Sequence, residues 1–255
     1  MSGPAAAKHL FVTITAASLP PAFRLQLGQM QIQGVLQPAT FVRRLNRFAA
    51  LVAIDGREEM AHVPNSGRLQ ELFVPGYPVL ARFQPRPLGK TQYDLLLVSV
   101  NGGWVSADAR LPNLLVAEAL ATGSLPQFQG YAEVRREVTY GESRLDFCLS
   151  GRCYVEVKSV TLVQDGAGLF PDAPTARGAR HLRSLVRAIE EGHRAAAIFV
   201  IQREDASSFA PNDAADPEFG RTLREAASKG VALYAYTCRV SAQEISLDCP
   251  VPVCL

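Results

Sequence analysis

Residues 140–160 read YGESRLDFCLSGRCYVEVKSV. Two runs rich in Leu, Phe, Val, Tyr and Cys flank a short turn, and such residues favour half-buried strands. Asp146 sits in the first run, Glu156 and Lys158 in the second. Glu156 and Lys158 are two apart, so on a strand they share a face. Burying a charge without a partner is expensive, so charges planted in an apolar hairpin need a purpose.

The turn decides whether the three groups meet. A two-residue turn of Ser150 and Gly151 would pair Leu149 with Arg152 and send Asp146 and Glu156 to opposite faces. A loop of Ser150, Gly151 and Arg152 pairs Leu149 with Cys153. Asp146 then lies opposite Glu156, and Arg144 opposite Lys158. Three-residue loops with a left-handed glycine are a common hairpin connection. This second register is preferred, because it gathers the charges on one side and the apolar residues on the other. It also turns Cys148 and Cys153 to opposite faces, so they would not bridge.

An Asp followed one strand later by Glu-x-Lys resembles the PD-(D/E)xK nuclease pattern. The residue types suit that chemistry. Mg²⁺ prefers carboxylate oxygens and keeps several waters. A lysine ammonium orients an attacking water and offsets charge developing on a phosphate. E-V-K alone equally fits a surface ion pair on an edge strand. Against that, the chain has 22 Arg and 4 Lys. It uses arginine nearly everywhere a cation will do, so a lysine at 158 suggests that a compact ammonium is wanted.

Three further stretches point the same way: VKSVTL at 157–162, FPDAPTARGARHL at 170–182 and HVPNSGRL at 62–69. With these motifs the chain resembles the sugar fermentation stimulation protein family from about Leu36 to its C-terminus. The resemblance implies an N-terminal OB-fold-like β-barrel, a C-terminal mixed-sheet nuclease-like domain (α+β or α/β) and DNA binding. The nuclease pattern implies Mg²⁺ or Mn²⁺ at Asp146 and Glu156, with Lys158 as a catalytic residue. The family takes its name from a sugar-utilisation phenotype.

A length of 255 residues suits one large or two small domains. A net charge of +2 is nearly neutral, so a nucleic-acid surface must be local. The five cysteines form no CxxC or Cys/His pattern, which argues against zinc, and free thiols fit a reducing cytoplasm. No stretch reaches the roughly 18 apolar residues of a membrane span.

Residues 1–35 are read as a poorly ordered N-terminal extension, with an edge strand at 10–16 as the alternative and Met30 as a candidate start. A signal peptide is disfavoured, since only Lys8 is basic near the start. Residues 36–110 alternate short strands with turns, as a small barrel does. Residues 41–55 read as one long strand ending at Asp55 and Gly56. Through Asp94 this segment sets Arg43, Arg44, Arg47, Arg57, Arg68, Arg82, Arg86 and Lys90 against five acids. A basic barrel is a nucleic-acid platform, and Arg43, Arg44, Arg47 and Arg68 are its candidate DNA contacts. Asn65, Ser66 and Gly67 either contact a phosphate or shape a turn.

Residues 111–255 begin with a helix that Asn113 is expected to cap and Gly123 to stop. In nuclease-like folds a carboxylate on this helix often completes the metal site, which makes Glu118 a candidate; an exposed surface Glu is the alternative. The strand at 131–141 opens an α-β-β-β-α-β core. Residues 162–174 carry the Gly and Pro of an active-site loop. In the helix from about Thr175 to Gly192, Leu182, Leu185, Val186 and Ile189 form a core stripe. Arg177, Arg180 and His181 are candidate phosphate contacts, His181 having a buried structural role as its alternative. Residues 194–202 read as a buried strand, and Asp216 and Pro217 start a last helix. The expected protein is a cytoplasmic, metal-dependent endonuclease acting on double- or single-stranded DNA. The alternative is a DNA-binding regulator with an idle nuclease fold. A carbohydrate enzyme is suggested only by the family name.

Overall fold

The computed structural model describes residues 28–87 and 89–255. The edge strand considered at 10–16 lies outside them. The first described strand, β1 (Gln29–Gln31), does not belong to an extension. It pairs antiparallel with the last strand of the chain, Glu244–Val251. Gly28 just before it lies so close to the next domain's first helix that a Cβ would sit 2.2 Å from the Leu115 carbonyl oxygen. Met30 and Ile32 pack on the C-terminal core.

The barrel follows: β2 (Leu36–Asn46), β3 (Ala49–Ile54), β4 (Arg57–His62), β5 (Pro78–Phe83), β6 (Tyr93–Val100) and β7 (Gly103–Ser106). The order β4-β3-β2-β5-β6 is closed by a β4–β6 pairing, and β7 lies beside β6. Closure removes the sheet edges. Phe41, Ala50, Val52, Ala61, Val79, Ala81 and Leu95 fill the interior. Asp55 and Gly56 make the expected tight turn, both at positive φ. Residues 41–55 are two strands rather than one. The break falls at Arg47 and Phe48, where Asn46 Oδ1 accepts the Phe48 amide at 2.9 Å.

The second domain runs α1 (Leu111–Ala121), β8 (Val134–Tyr140), β9 (Ser143–Leu149), β10 (Cys153–Val160), β11 (Val163–Gln164), β12 (Ala167–Phe170), α2 (Ala176–Glu190), β13 (Arg194–Ile201), β14 (Ser208–Pro211), α3 (Pro217–Ser228), β15 (Ala232–Val240) and β16 (Glu244–Val251). The expected α-β-β-β-α-β core is present. Its sheet has the order β1-β16-β15-β13-β10-β9-β8, parallel at β10–β13 and β13–β15. Residues 162–174, expected as one loop, form the β11–β12 hairpin and a short loop beyond it.

α1 is sandwiched between sheet and barrel, which is why it is apolar nearly all round. Leu115, Val116 and Ala119 share a core with Leu80 and Leu97 of the barrel and Val155, Ile198 and Val200 of the sheet. Truncating Leu115 would cost about 2–5 kcal/mol. α2 and α3 cover the other face through Leu182, Leu185, Phe219 and Leu223. Both helices start where expected and are capped there: Thr175 accepts the Gly178 amide and Asp216 the Phe219 amide. Asn113 is not a cap. It lies inside α1, which starts two residues earlier with Pro112 in its first turn.

Candidate metal and nucleic-acid site

The hairpin has the three-residue loop. Leu149 pairs with Cys153, Cys148 with Tyr154 and Phe147 with Val155. Ser150 and Gly151 both take positive φ. The ladder stops one step later, where Asp146 would face Glu156. There the Asp146 side chain replaces the backbone: its Oδ2 accepts the Val157 amide at 2.7 Å. Its Oδ1 accepts Asn113 Nδ2 at 2.7 Å. The sheet therefore splays at Asp146, and a carboxylate fills the gap. Because the ladder has ended, Arg144 does not oppose Lys158. It pairs with Thr139 on β8, and its exposed guanidinium binds Glu137.

Glu156 and Lys158 share the opposite lip. Glu156 is 3% exposed and Lys158 9%. Lys158 Nζ donates to Glu156 Oε1 at 2.6 Å. The same oxygen bonds His181 Nδ1 on α2. His181 Nε2 accepts from Arg177 Nε at 3.3 Å, so Nδ1 carries the proton and donates to the carboxylate. One Glu156 oxygen is thus doubly bonded, while Oε2 is buried and unpartnered.

The electrostatics separate the two acids. Burial, reinforced by the charge of Glu156, pushes Asp146 up to about 6. Burial would also raise Glu156, but Lys158 and His181 outweigh it and hold that carboxyl below its ordinary value. A splayed carboxylate and a bare buried carboxylate oxygen around one cleft suit a hard cation that keeps much of its water. Among the described residues, no group of three or more His, Cys, Asp or Glu is arranged to hold a metal, so the fit rests on these two acids.

The cleft measures about 920 Å³ and lies between the domains. The barrel lines it with Arg44, Arg47 and residues 65–69, and the second domain with Asp146, Glu156, Lys158, residues 169–176 and Arg177. Its walls touch. Asp172 Oδ2 accepts the amides of Arg68 at 2.6 Å and Leu69 at 3.1 Å. Glu71 Oε1 accepts the Thr161 hydroxyl at 3.0 Å.

Several expected site residues have other work. Glu118 is not in the cleft; its Oε2 accepts the Gln29 amide at 2.6 Å and anchors β1. Arg44 is engaged by the backbone, donating to the carbonyls of Gly67 at 2.7 Å and Arg47 at 2.6 Å, and it lies over the Phe73 ring. Burial lowers its pKa from the ordinary value. Asn65 shapes its turn, Oδ1 accepting the Gly67 amide at 2.8 Å. His181 is 2% exposed and faces Glu156, not solvent. Arg82 and Arg86 pair with buried Asp94. Arg43 is exposed but outside the cleft. Arg180 lines a separate groove with Arg183 and Arg187. Ser66, Arg47, Arg68 and Arg177 are exposed at the cleft. Two residues escaped the sequence reading, Asn113 as the partner of Asp146 and Asp172 as the tie between walls. Only the FPDAPTARGARHL motif hinted at the latter.

Known proteins resemble most of the chain. Residues 42–107 match the family model described as the SfsA N-terminal OB domain. Residues 110–244 match the sugar fermentation stimulation protein RE domain. The sugar fermentation stimulation protein homolog of Moorella thermoacetica is 51% identical over 229 residues, covering 88% of this chain and 99% of the relative. That of Acetivibrio thermocellus is 49% identical over 223 residues, covering 86% and 96%. The solved structure of Pyrococcus furiosus SfsA in complex with Ca²⁺ superposes with a TM-score of 0.81 at 33% identity, covering 92% of this chain and all of that one.

Proposed function

The chain belongs to the sugar fermentation stimulation protein family, and from that premise we propose that it binds DNA and hydrolyses phosphodiester bonds with a divalent metal. The observation that carries this is the meeting of Asp146 and Glu156 at one cleft, the Glu156 Oε2 being buried without a partner beside Lys158. The OB barrel supports nucleic-acid binding, and Ca²⁺ in the Pyrococcus furiosus relative supports a cation site. Mg²⁺ or Mn²⁺ would be held by Asp146 and Glu156 and would polarise a phosphate oxygen and lower the pKa of a water.

The chain's own groups do the rest. Asn113 and the Val157 amide fix Asp146. His181 fixes Glu156. Lys158 places a compact positive charge where negative charge grows on the phosphate. Arg47, Arg68 and Arg177 hold flanking phosphates without reading sequence. No described helix is long and apolar enough to cross a membrane, and buried thiols at Cys148, Cys153 and Cys238 suit a cytoplasmic protein.

The test is nicking of supercoiled plasmid and of circular single-stranded DNA with Mg²⁺, Mn²⁺ or EDTA, using parent and Lys158→Ala prepared side by side. Metal-dependent cleavage of at least one of the two substrates, by the parent alone, is expected. No cleavage by either, with DNA binding intact, would leave the non-cleaving regulator as the account.

A further inference from the structure

We propose that the interdomain cleft takes a single nucleic-acid strand rather than a duplex, with Phe48 stacking on an unpaired base at its rim; this rests on the nuclease reading of the cleft but concerns its substrate. Glu156 and Lys158 are almost wholly buried, so the scissile phosphate must enter the cleft to meet them. A duplex is a stiff rod, straight over tens of nanometres, with its phosphates on its outside. A flexible single strand can enter where such a rod cannot.

The cleft is also small and bounded. About 920 Å³ is within the range of small-molecule sites. That suits a short run of nucleotides, not a rod whose major groove alone is about 12 Å wide. Asp172, bonded to the Arg68 and Leu69 amides, joins the walls directly. Opening the cleft for a duplex would break those bonds and the bond between Thr161 and Glu71.

Arg47 lines the cleft. Phe48 follows it in the β2–β3 turn and is 50% exposed, one of few large apolar side chains left in water among the described residues. Its backbone is fixed on both sides: the amide donates to Asn46 Oδ1, and the carbonyl accepts the Val63 amide. The ring is thus presented on a rigid turn. Among the described residues, the guanidinium groups of Arg47 and Arg68 form no ion pair. A fixed aromatic face beside unpaired cations is how OB-folds hold single strands, since every base has a face to stack.

The experiment uses the full chain in EDTA, so that binding is read without cleavage. Anisotropy is measured with a labelled mixed-sequence 15-mer strand and with the same 15-mer as a blunt duplex. The parent should bind the strand at least about 10-fold more tightly. Phe48→Ala should weaken strand binding roughly 5- to 100-fold and leave duplex binding unchanged. Phe48→Trp should restore it, and Phe83→Ala, an equally exposed ring on β5 rather than in the β2–β3 turn that carries Arg47, should have no effect. Equal or tighter duplex binding, or unaltered strand binding by Phe48→Ala, would overturn the proposal. Strand binding without Mn²⁺-dependent cleavage of the same oligonucleotide would remove the nuclease function and leave this inference standing. Cleavage with duplex preference would do the reverse.

Discussion

Asp146→Asn should make the metal-free protein more stable at pH 8. The carboxyl is raised from 3.8 to about 6 by burial and by Glu156. The folded state therefore holds this proton more tightly than the unfolded state does. Protonation favours folding; the benefit is complete below pH 3.8 and gone once pH passes 6. At neutral pH the ionised group opposes folding by about 3 kcal/mol, taking 1.36 kcal/mol per pH unit. An amide removes that opposition with little change of shape. Its oxygen can still accept the Val157 amide, and Asn113 can rotate its own amide to accept the new NH₂. The ceiling is a gain of about 3 kcal/mol, which at roughly 2–4 °C per kcal/mol raises Tm by about 6–12 °C. The assay is thermal unfolding of parent and variant in EDTA between pH 4 and 8, repeated with Mn²⁺. The gain should shrink toward pH 4, and Mn²⁺ should raise Tm of the parent only. A variant less stable than the parent by the same margin at every pH would refute the reasoning.

Four further outcomes are expected. Lys158→Ala should abolish cleavage yet leave DNA affinity nearly intact, as one cation among several; Lys158→Arg should also be inactive, because a planar guanidinium does not replace a compact ammonium. His181→Ala should destabilise the fold by about 2–4 kcal/mol in urea unfolding, since Glu156 loses a buried donor; a change below about 0.5 kcal/mol would show the bond to be idle. Log affinity for DNA should fall linearly with log salt, and Arg177→Ala should lower affinity alike for unrelated sequences and flatten the slope; a flat parent slope would reject a phosphate-dominated interface. Glu118→Ala should cleave like the parent in the same nicking assay while loosening β1, because its carboxylate holds the Gln29 amide; lost cleavage by a folded variant would return Glu118 to the site.

The hairpin could be read from sequence because Gly151 tolerates the left-handed backbone and because one register alone gathers Asp146, Glu156 and Lys158. α2 was equally plain, with its start near Thr175 and an apolar stripe at helical spacing. The barrel turn at Arg47 was hidden, since neither Arg nor Phe is turn chemistry and the turn is made by Asn46. Glu118 misled for a geometric reason. It lies five residues beyond Asn113, about 7.5 Å along the helix and well round its circumference. Only one of the two can reach Asp146, and Asn113 does. His181 sits next to Leu182 on a helix crowded with arginines, and nothing in that pattern distinguishes a buried bond to Glu156 from a solvent-facing cation. β1 is three residues long and has a partner more than 200 residues away, so no local signal could reveal it.

That distant pairing has a consequence for synthesis. The side chains of Gln29 and Glu244 meet across 215 residues, and everything of the barrel lies between them. At 5–20 residues per second, a ribosome needs roughly 10–40 s to deliver the partner of a strand it has already released. The barrel, whose strands are all closed by Ser106, can form within that interval. β1 meanwhile has no sheet to join, and the first helix, through Glu118, is an early anchor available to it. A nascent chain arrested before Glu244 should therefore protect the barrel from protease while residues 28–32 remain open to cleavage. Protection of both would mean that the first strand docks without its final neighbour.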